Sequence, residues 1–240
     1  MKEANSYHNF AYYYNQLIPQ SFYEDLASKI KSYGSFNNVL DIACGSGSLC
    51  FLLKDKYNSV SGLDYSDEML MIAQQENFQL KKGVSFFNQD MNDLLLNKDS
   101  YDLITCSLDS LNYVKTNKID DIFSKIEIAL QKNGYFIFDV LTQYYIDDIV
   151  YDYYQSEEIN DFEYYWYVKK VDDSTIEHDL SIITSNDKYH EIHYQYIHHE
   201  IYIEELIRKY NFELIKKEEE YNELDETKAS RIYYTIRKGR

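Results

Sequence analysis

The stretch VLDIACGSGSLC, Val39 to Cys50, places a carboxylate, Asp41, inside an apolar run and follows it with two glycines, Gly45 and Gly47, separated by a serine. Val39 to Ile42 reads as a short buried strand, and Ser48 to Lys56 as a helix beginning just past the glycines. A strand, a glycine turn and a helix N-terminus make a nucleotide-sized site, because glycine allows close backbone approach and the first amide N–H groups point at the ligand. Charge narrows the ligand. A dinucleotide fingerprint, G-x-G-x-x-G, needs a third small residue where Cys50 stands, and Asp41 would repel a pyrophosphate. A ligand with an ammonium or sulfonium group is favoured there instead.

Outward from this turn the chain alternates. Upstream, Phe22, Leu26 and Ile30 recur at four-residue spacing after Pro19 and before Gly34, which predicts a helix. Downstream come a strand over Ser59 to Leu63 ending at Asp64, a helix over Asp67 to Asn77, and strands over Val84 to Phe87 and Tyr101 to Cys106. A helix over Ile119 to Leu130 and a strand over Tyr135 to Leu141 follow, separated by the Asn133-Gly134 turn. With strands at Phe212 to Lys217 and Ile232 to Arg237, expected to pair antiparallel across a loop at 221 to 230, the pattern is an α/β fold. It predicts a doubly wound, mostly parallel sheet of seven strands. Residues 143 to 199 break this grammar, with alternating aromatic, charged and β-branched residues and no glycine or proline from Tyr144 to His199. They are expected to form an antiparallel β meander inserted into an α/β domain of residues 1–142 and 200–240, serving as a lid or a homodimer surface.

Composition excludes several classes of function. The formal net charge of −17 disfavours nucleic acid and points to a small or cationic partner. The apolar stretch 39 to 53 is too short and too interrupted to span a bilayer. Cys44, Cys50 and Cys106 form no even-numbered framework, and MKEANSYHNF is polar rather than leader-like, so a cytoplasmic protein is expected. The 27 tyrosines, with abundant Asn, Lys and Ile, are what AT-rich codons produce and carry no functional weight here. His190, His193, His198 and His199 alternate within an aromatic stretch without carboxylate or cysteine partners at ligand spacing, so no metal site is expected.

Three further segments extend the first motif. Asp64 stands at a strand end 17 residues past Gly47, where a carboxylate can accept from both hydroxyls of a ribose, and Asp90-Met91 follows the third strand, where an acceptor can meet an adenine amino group. The ordered set VLDIACGSG, GLDYSDEML, FFNQDM and YDLITCSLDSLNYV resembles the four motifs of class I S-adenosylmethionine-dependent methyltransferases, over residues 36 to 142 and, by pattern only, over 200 to 240. Ala43 departs from the usual first glycine, and alanine fits there if the backbone stays at negative φ. NSYHNFAYYYNQLI is similar to an N-terminal segment of a small-molecule-methylating branch, with Asn15 in place of its aspartate.

The resemblance implies S-adenosylmethionine as cofactor and assigns roles by position. Asp41 would hold the methionine amino group while Ala43, Gly45 and Gly47 shape the turn. Asp64 would take the ribose, Tyr65 and Met91 would flank the adenine, and Asp90 would accept from its amino group. Cys106 and Ser107 would offer backbone carbonyls, and Tyr14 would cover the methyl side or simply pack. Asp109 is the candidate base or substrate contact, or else a cap for the next helix. Aromatic residues of the insertion, Trp166 among them, would wall a small-molecule acceptor methylated on nitrogen or oxygen. A nicotinamide-dependent oxidoreductase and a non-catalytic nucleotide-binding module remain alternatives.

Overall fold

The computed structural model describes residues 11–13, 15–150, 153–222 and 225–239. Strand β1 (Asn38–Ile42), the apolar run of the first motif, lies at the centre of a seven-stranded sheet. It pairs in parallel with β2 (Ser59–Asp64) on one side and β4 (Tyr101–Cys106) on the other. Strand β3 (Ser85–Asn88) extends the first side, while β5 (Leu130–Leu141), β11 (Asp225–Lys238) and β10 (Phe212–Asn222) extend the second, in the order β10-β11-β5-β4-β1-β2-β3. Strand β11 runs antiparallel to both of its neighbours, β5 and β10.

Helices cover both faces, as a mostly parallel sheet requires. On one face lie α1 (Gln20–Ser32) and α2 (Ser48–Lys54), whose Leu26, Ile30, Leu49 and Phe51 join a buried cluster with Val39 and Val60. Helix α3 (Asp67–Leu80) adds Leu70 to the same cluster, and its start is fixed by Ser66, whose hydroxyl accepts from Met69 N–H at 3.1 Å. On the other face α4 (Thr116–Ala129) presents Ile119, Ile122, Phe123 and Ile126, an i, i+3, i+4, i+7 stripe, against Phe136 and Phe138. Helix α5 (Glu200–Lys209) completes that layer with Ile203, Leu206 and Ile207.

Several elements are longer than their sequence pattern suggested; β5 starts at Leu130 rather than Tyr135 and so takes in the Asn133-Gly134 turn. Strands β10 and β11 pair as far as Asn222 and Asp225, so residues 221–222 and 225–230, expected as loop, belong to a hairpin. The charged run Lys216 to Glu220 tolerates this because β10 is the edge of the sheet, where charge discourages further pairing. Helix α3 continues three residues past Asn77 and ends at Lys81, whose left-handed φ of 55° closes the cap.

The segment between β5 and α5 forms a second, antiparallel sheet, β6 (Tyr153–Ile159), β7 (Phe162–Asp172), β8 (Thr175–Thr184) and β9 (Lys188–Tyr196), each paired with the next. One side of it buries Phe162, Tyr164, Leu180, Ile182 and Tyr189, with Tyr13 and Leu17 of the N-terminal segment packed against them. A second cluster joins Val168, Ile176 and Ile197 to Leu141 at the end of β5 and to Ile146 of a π-helical turn, Tyr145–Ile149. A fully buried amide also ties the two sheets: Asn112 Nδ2 donates to Tyr196 O at 2.9 Å, and Asn112 Oδ1 accepts from Leu141 N–H at 3.0 Å.

Replacing Asn112 by leucine leaves both backbone partners unpaired, and each buried polar group so exposed costs roughly 1–3 kcal/mol. The expected result is a lower urea midpoint with an unchanged m-value. A midpoint equal to that of the unaltered protein would show that the amide does not join the sheets.

Candidate active site

A cavity of about 640 Å³ opens over the C-terminal ends of β1, β2 and β4. The glycine turn forms its floor. Ala43, Gly45 and Gly47 take φ values of 56°, 54° and 82°, three left-handed residues alternating with Cys44 and Ser46. The negative φ under which alanine would fit without strain is not what Ala43 adopts: it occupies the conformation that a glycine would take freely, at a cost of roughly 1–2 kcal/mol. The two glycines serve different ends. A Cβ on Gly45 would meet nothing within 4 Å, so its side of the turn faces open space, whereas one on Gly47 would sit 2.7 Å from the Phe86 ring. Gly47 lies off the cavity wall and is required by packing.

Two carboxylates shape this end. Asp64 accepts from Gly45 N–H at 2.7 Å and from Ser66 N–H at 2.9 Å, which joins the turn after β1 to the start of α3 and orients the carboxylate at the wall. Asp41 is almost wholly buried, accepting from Thr105 Oγ1 at 2.6 Å and, more weakly, from Cys50 Sγ at 3.6 Å. Burial pushes its carboxyl up to about 7, the hydroxyl and thiol bonds only partly opposing this, and the nearby charge of Asp64 adds to it. A bound cation would remove that penalty. Asp90 accepts from Asn92 N–H and Nδ2 at 2.8 and 2.9 Å and lines the wall beside Met91, Tyr65 and Ser107. The Cys106 side chain is fully buried, its sulfur 3.8 Å from that of Met91, and Ser107 is the residue that lines the wall at this strand end. Tyr14 lies outside the described residues, but its neighbours Ala11, Asn15 and Ile18 line the cavity, and Ser46 Oγ donates to Asn15 Oδ1.

Asp109 reaches the wall in a setting that the sequence did not suggest. Leu108 and Asp109 are both left-handed, with φ of 57° and 49°. Arg231 Nη2 contacts Asp109 Oδ1 at 2.7 Å, and Arg231 Nη1 donates to Oδ2 of buried Asp139 at 2.8 Å; that same Oδ2 accepts Asp109 N–H at 2.8 Å. Gln195 Nε2 donates to Asp109 Oδ2, so both oxygens of Asp109 are engaged. The chain of bonds continues into the meander. Gln195 Oε1 lies 2.9 Å from His178 Nε2, and His178 Nδ1 accepts from Trp166 Nε1 at 3.1 Å. An indole N–H can only donate, so His178 must carry its proton on Nε2, and burial holds its pKa below the usual histidine value in favour of this neutral form.

Trp166, Glu191 and His193 complete the wall from the meander side, with Tyr113 from the loop after β4. Of the residues missing from the sequence reading, Asp139 carries the same signal as Asp41, a carboxylate inside an apolar strand, FIFDVL. Arg231, Gln195 and His178 have no local signal, since their partners lie far away in sequence.

The donor set fits a nucleoside ligand with a positive centre: strand-end carboxylates for an ammonium and for hydroxyls, open room beside Gly45, and Met91 on the wall. Such a floor under an α/β sheet of this order, roofed by a meander, is the architecture of a class I methyltransferase. Residues 39–134 match the model of a methyltransferase domain. Two provisionally named methyltransferases are similar to the chain: YqeM of Bacillus subtilis, 27% identical over 98% of each chain, and GWCH70_2453 of Geobacillus, 30% identical over 76% of each. The solved structure of an S-adenosylmethionine-dependent methyltransferase from Clostridium acetobutylicum superposes with a TM-score of 0.83 at 25% identity, over 98% of this chain and 100% of that one. The chain belongs to the S-adenosylmethionine-dependent methyltransferases.

Removing Arg231 strands Asp139 and Asp109, and breaking a buried ion pair in this way costs roughly 3–5 kcal/mol. Burial already raises the Asp139 carboxyl to about 6 despite the guanidinium; without Arg231 it rises further above its unfolded value. A group of that kind contributes stability below its unfolded pKa and loses it as pH climbs through the folded one. The stability deficit of Arg231→Met, measured by urea unfolding, should therefore be larger at pH 8 than at pH 5. An equal deficit at both would show that Asp139 does not depend on the guanidinium.

Proposed function

We propose that this methyltransferase transfers the methyl group of S-adenosylmethionine to a nitrogen or oxygen of a small molecule, which binds between the glycine turn and the meander. One observation carries this reading: a single cavity runs from the carboxylates at the strand ends to Trp166, Glu191 and His193 on the meander. Its volume lies within the range of small-molecule pockets, about 300–1,000 Å³. A net charge of −17 opposes a nucleic-acid acceptor, and among the described residues no helix is long and apolar enough to cross a membrane.

On this reading Asp41 faces the amino group of the cofactor, Asp64 the ribose hydroxyls and Asp90 the adenine amino group, with Met91 and Tyr65 beside the ring. Gly45 leaves the backbone accessible. When bound, the cofactor supplies an electrophilic methyl group on positively charged sulfur. The chain's task is then alignment, for which well-oriented reactants recover about 7–11 kcal/mol of barrier. The meander excludes water from the acceptor side. Asp109, fastened by Arg231 and Gln195, positions the loop after β4 rather than moving a proton.

Two measurements test the cofactor half. By calorimetry, Asp64→Ala should weaken S-adenosylhomocysteine binding by roughly 1–3 kcal/mol, since an acceptor for ligand hydroxyls is lost. NAD should give no binding heat. Unchanged affinity in the variant, or binding of NAD in preference, defeats the assignment. The second concerns pH. Asp41 titrates near 7 in the free protein, and a cation beside it favours the ionised form, so its pKa must fall on binding. Affinity for S-adenosylmethionine should thus rise with pH through 7 and level off above it, with release of a proton near neutrality. Asp41→Asn should abolish that proton release, and a release that persists in the variant assigns it to another group.

A further inference from the structure

Resting on the reading of the cavity as a methyltransferase site, we propose that the acceptor is an amine, bound as its ammonium ion against the Glu191–His193 pair and the Trp166 and Tyr113 rings. The charge of the wall comes first. Asp41, Asp64, Glu68, Asp90, Asp109 and Glu191 line the cavity, and the one guanidinium among its described lining residues, Arg231, is already held by Asp109 and Asp139. A carboxylate or phosphate acceptor would meet this field without an uncommitted cation to receive it. An ammonium would gain from it.

The division of labour along the wall is equally specific. Asp41 of β1 and Asp64 of β2 stand beside the glycine turn, whereas Glu191 lies on β9, on the meander side. In β9, Glu191, His193 and Gln195 alternate with exposed Ile192 and Tyr194, so the strand turns its polar side chains inward and two apolar ones outward. That inversion of the ordinary pattern is unexplained by core packing. Gln195 serves the bond to Asp109, and His193 Nε2 stands 3.1 Å from Glu191 Oε2, which orients the carboxylate at the wall. Trp166 and Tyr113 line the same cavity, and aromatic faces attract a desolvated ammonium by roughly 0.5–2 kcal/mol. An ammonium nitrogen has no lone pair. It must first shed one proton to solvent, R–NH3+ giving R–NH2, before its lone pair can take the methyl group.

The test uses the full chain saturated with S-adenosylhomocysteine and three probes of one shape, benzylamine as its cation, benzyl alcohol and benzoate, titrated by calorimetry at neutral pH. Benzylammonium is expected to bind at least about tenfold more tightly than benzyl alcohol, and benzoate not at all. Glu191→Gln should bring benzylammonium to the affinity of the alcohol while leaving S-adenosylhomocysteine binding unchanged, which also shows that the variant is folded. Benzoate binding as tightly as benzylammonium, no benzylammonium binding, or a preference that survives Glu191→Gln each overturns the proposal. Failure of S-adenosylhomocysteine to bind would instead defeat the reading of the cavity on which it rests.

Discussion

The carboxylate of Asp64 accepts two backbone N–H groups, Gly45 at 2.7 Å and Ser66 at 2.9 Å, and the floor of the cavity depends on that pair of bonds. Neither amide has a regular partner, since one lies in a turn of left-handed residues and the other at a helix start. Each needs an acceptor, and one side chain provides both. The consequence is geometric: the end of β2 fixes the turn after β1, and the two motifs cannot move independently. Gly47 leaves room for the Phe86 ring of β3, which a Cβ there would meet at 2.7 Å, so three adjacent strands bear on one loop.

A second tie does for the roof what Asp64 does for the floor. Arg231 on the last long strand joins Asp139 of β5 to Asp109 of the loop after β4, and Gln195, His178 and Trp166 carry the connection across the meander. Burying a guanidinium and two carboxylates is expensive in desolvation, and their mutual attraction offsets this only with good geometry and further hydrogen bonds. Here most of those bonds are present, although Asp139 Oδ1 has no partner. Two consecutive left-handed residues, Leu108 and Asp109, cost on the order of 1–2 kcal/mol each and persist because the same side chains hold them. Strain of this kind beside a cavity wall is a common mark of a functional loop.

What could be read from the sequence was whatever the backbone writes locally. The run around Asp41, the strand-end carboxylates Asp64 and Asp90, and the alternation of strands with helices depend on residues within one turn or one strand, and the α/β fold with its seven-stranded sheet followed from them. Ala43 misled because alanine carries no sign of a left-handed φ; the demand comes from Cys44 N–H bonding Leu63 O in the neighbouring strand. Arg231 and Gln195 were illegible for a plainer reason: the residues they serve lie 92 and 86 positions away. The hairpin of β10 and β11 outran its apolar pattern because an edge strand needs no apolar face to pair.

Electrostatics links the site to stability. Asp41 is raised to about 7 by burial, so ionising it inside the free protein costs on the order of 4 kcal/mol relative to an ordinary carboxylate. Because its folded pKa exceeds the unfolded one, the protein loses stability from this group as pH rises from about 4 to about 7. A hydrophobic residue at position 41 would remove that loss, and the Thr105 and Cys50 contacts are too few to account for keeping a carboxylate there. On the proposed reading a positive group enters the cavity, and a cation beside Asp41 turns the desolvated carboxylate from a liability of the empty fold into a source of binding energy.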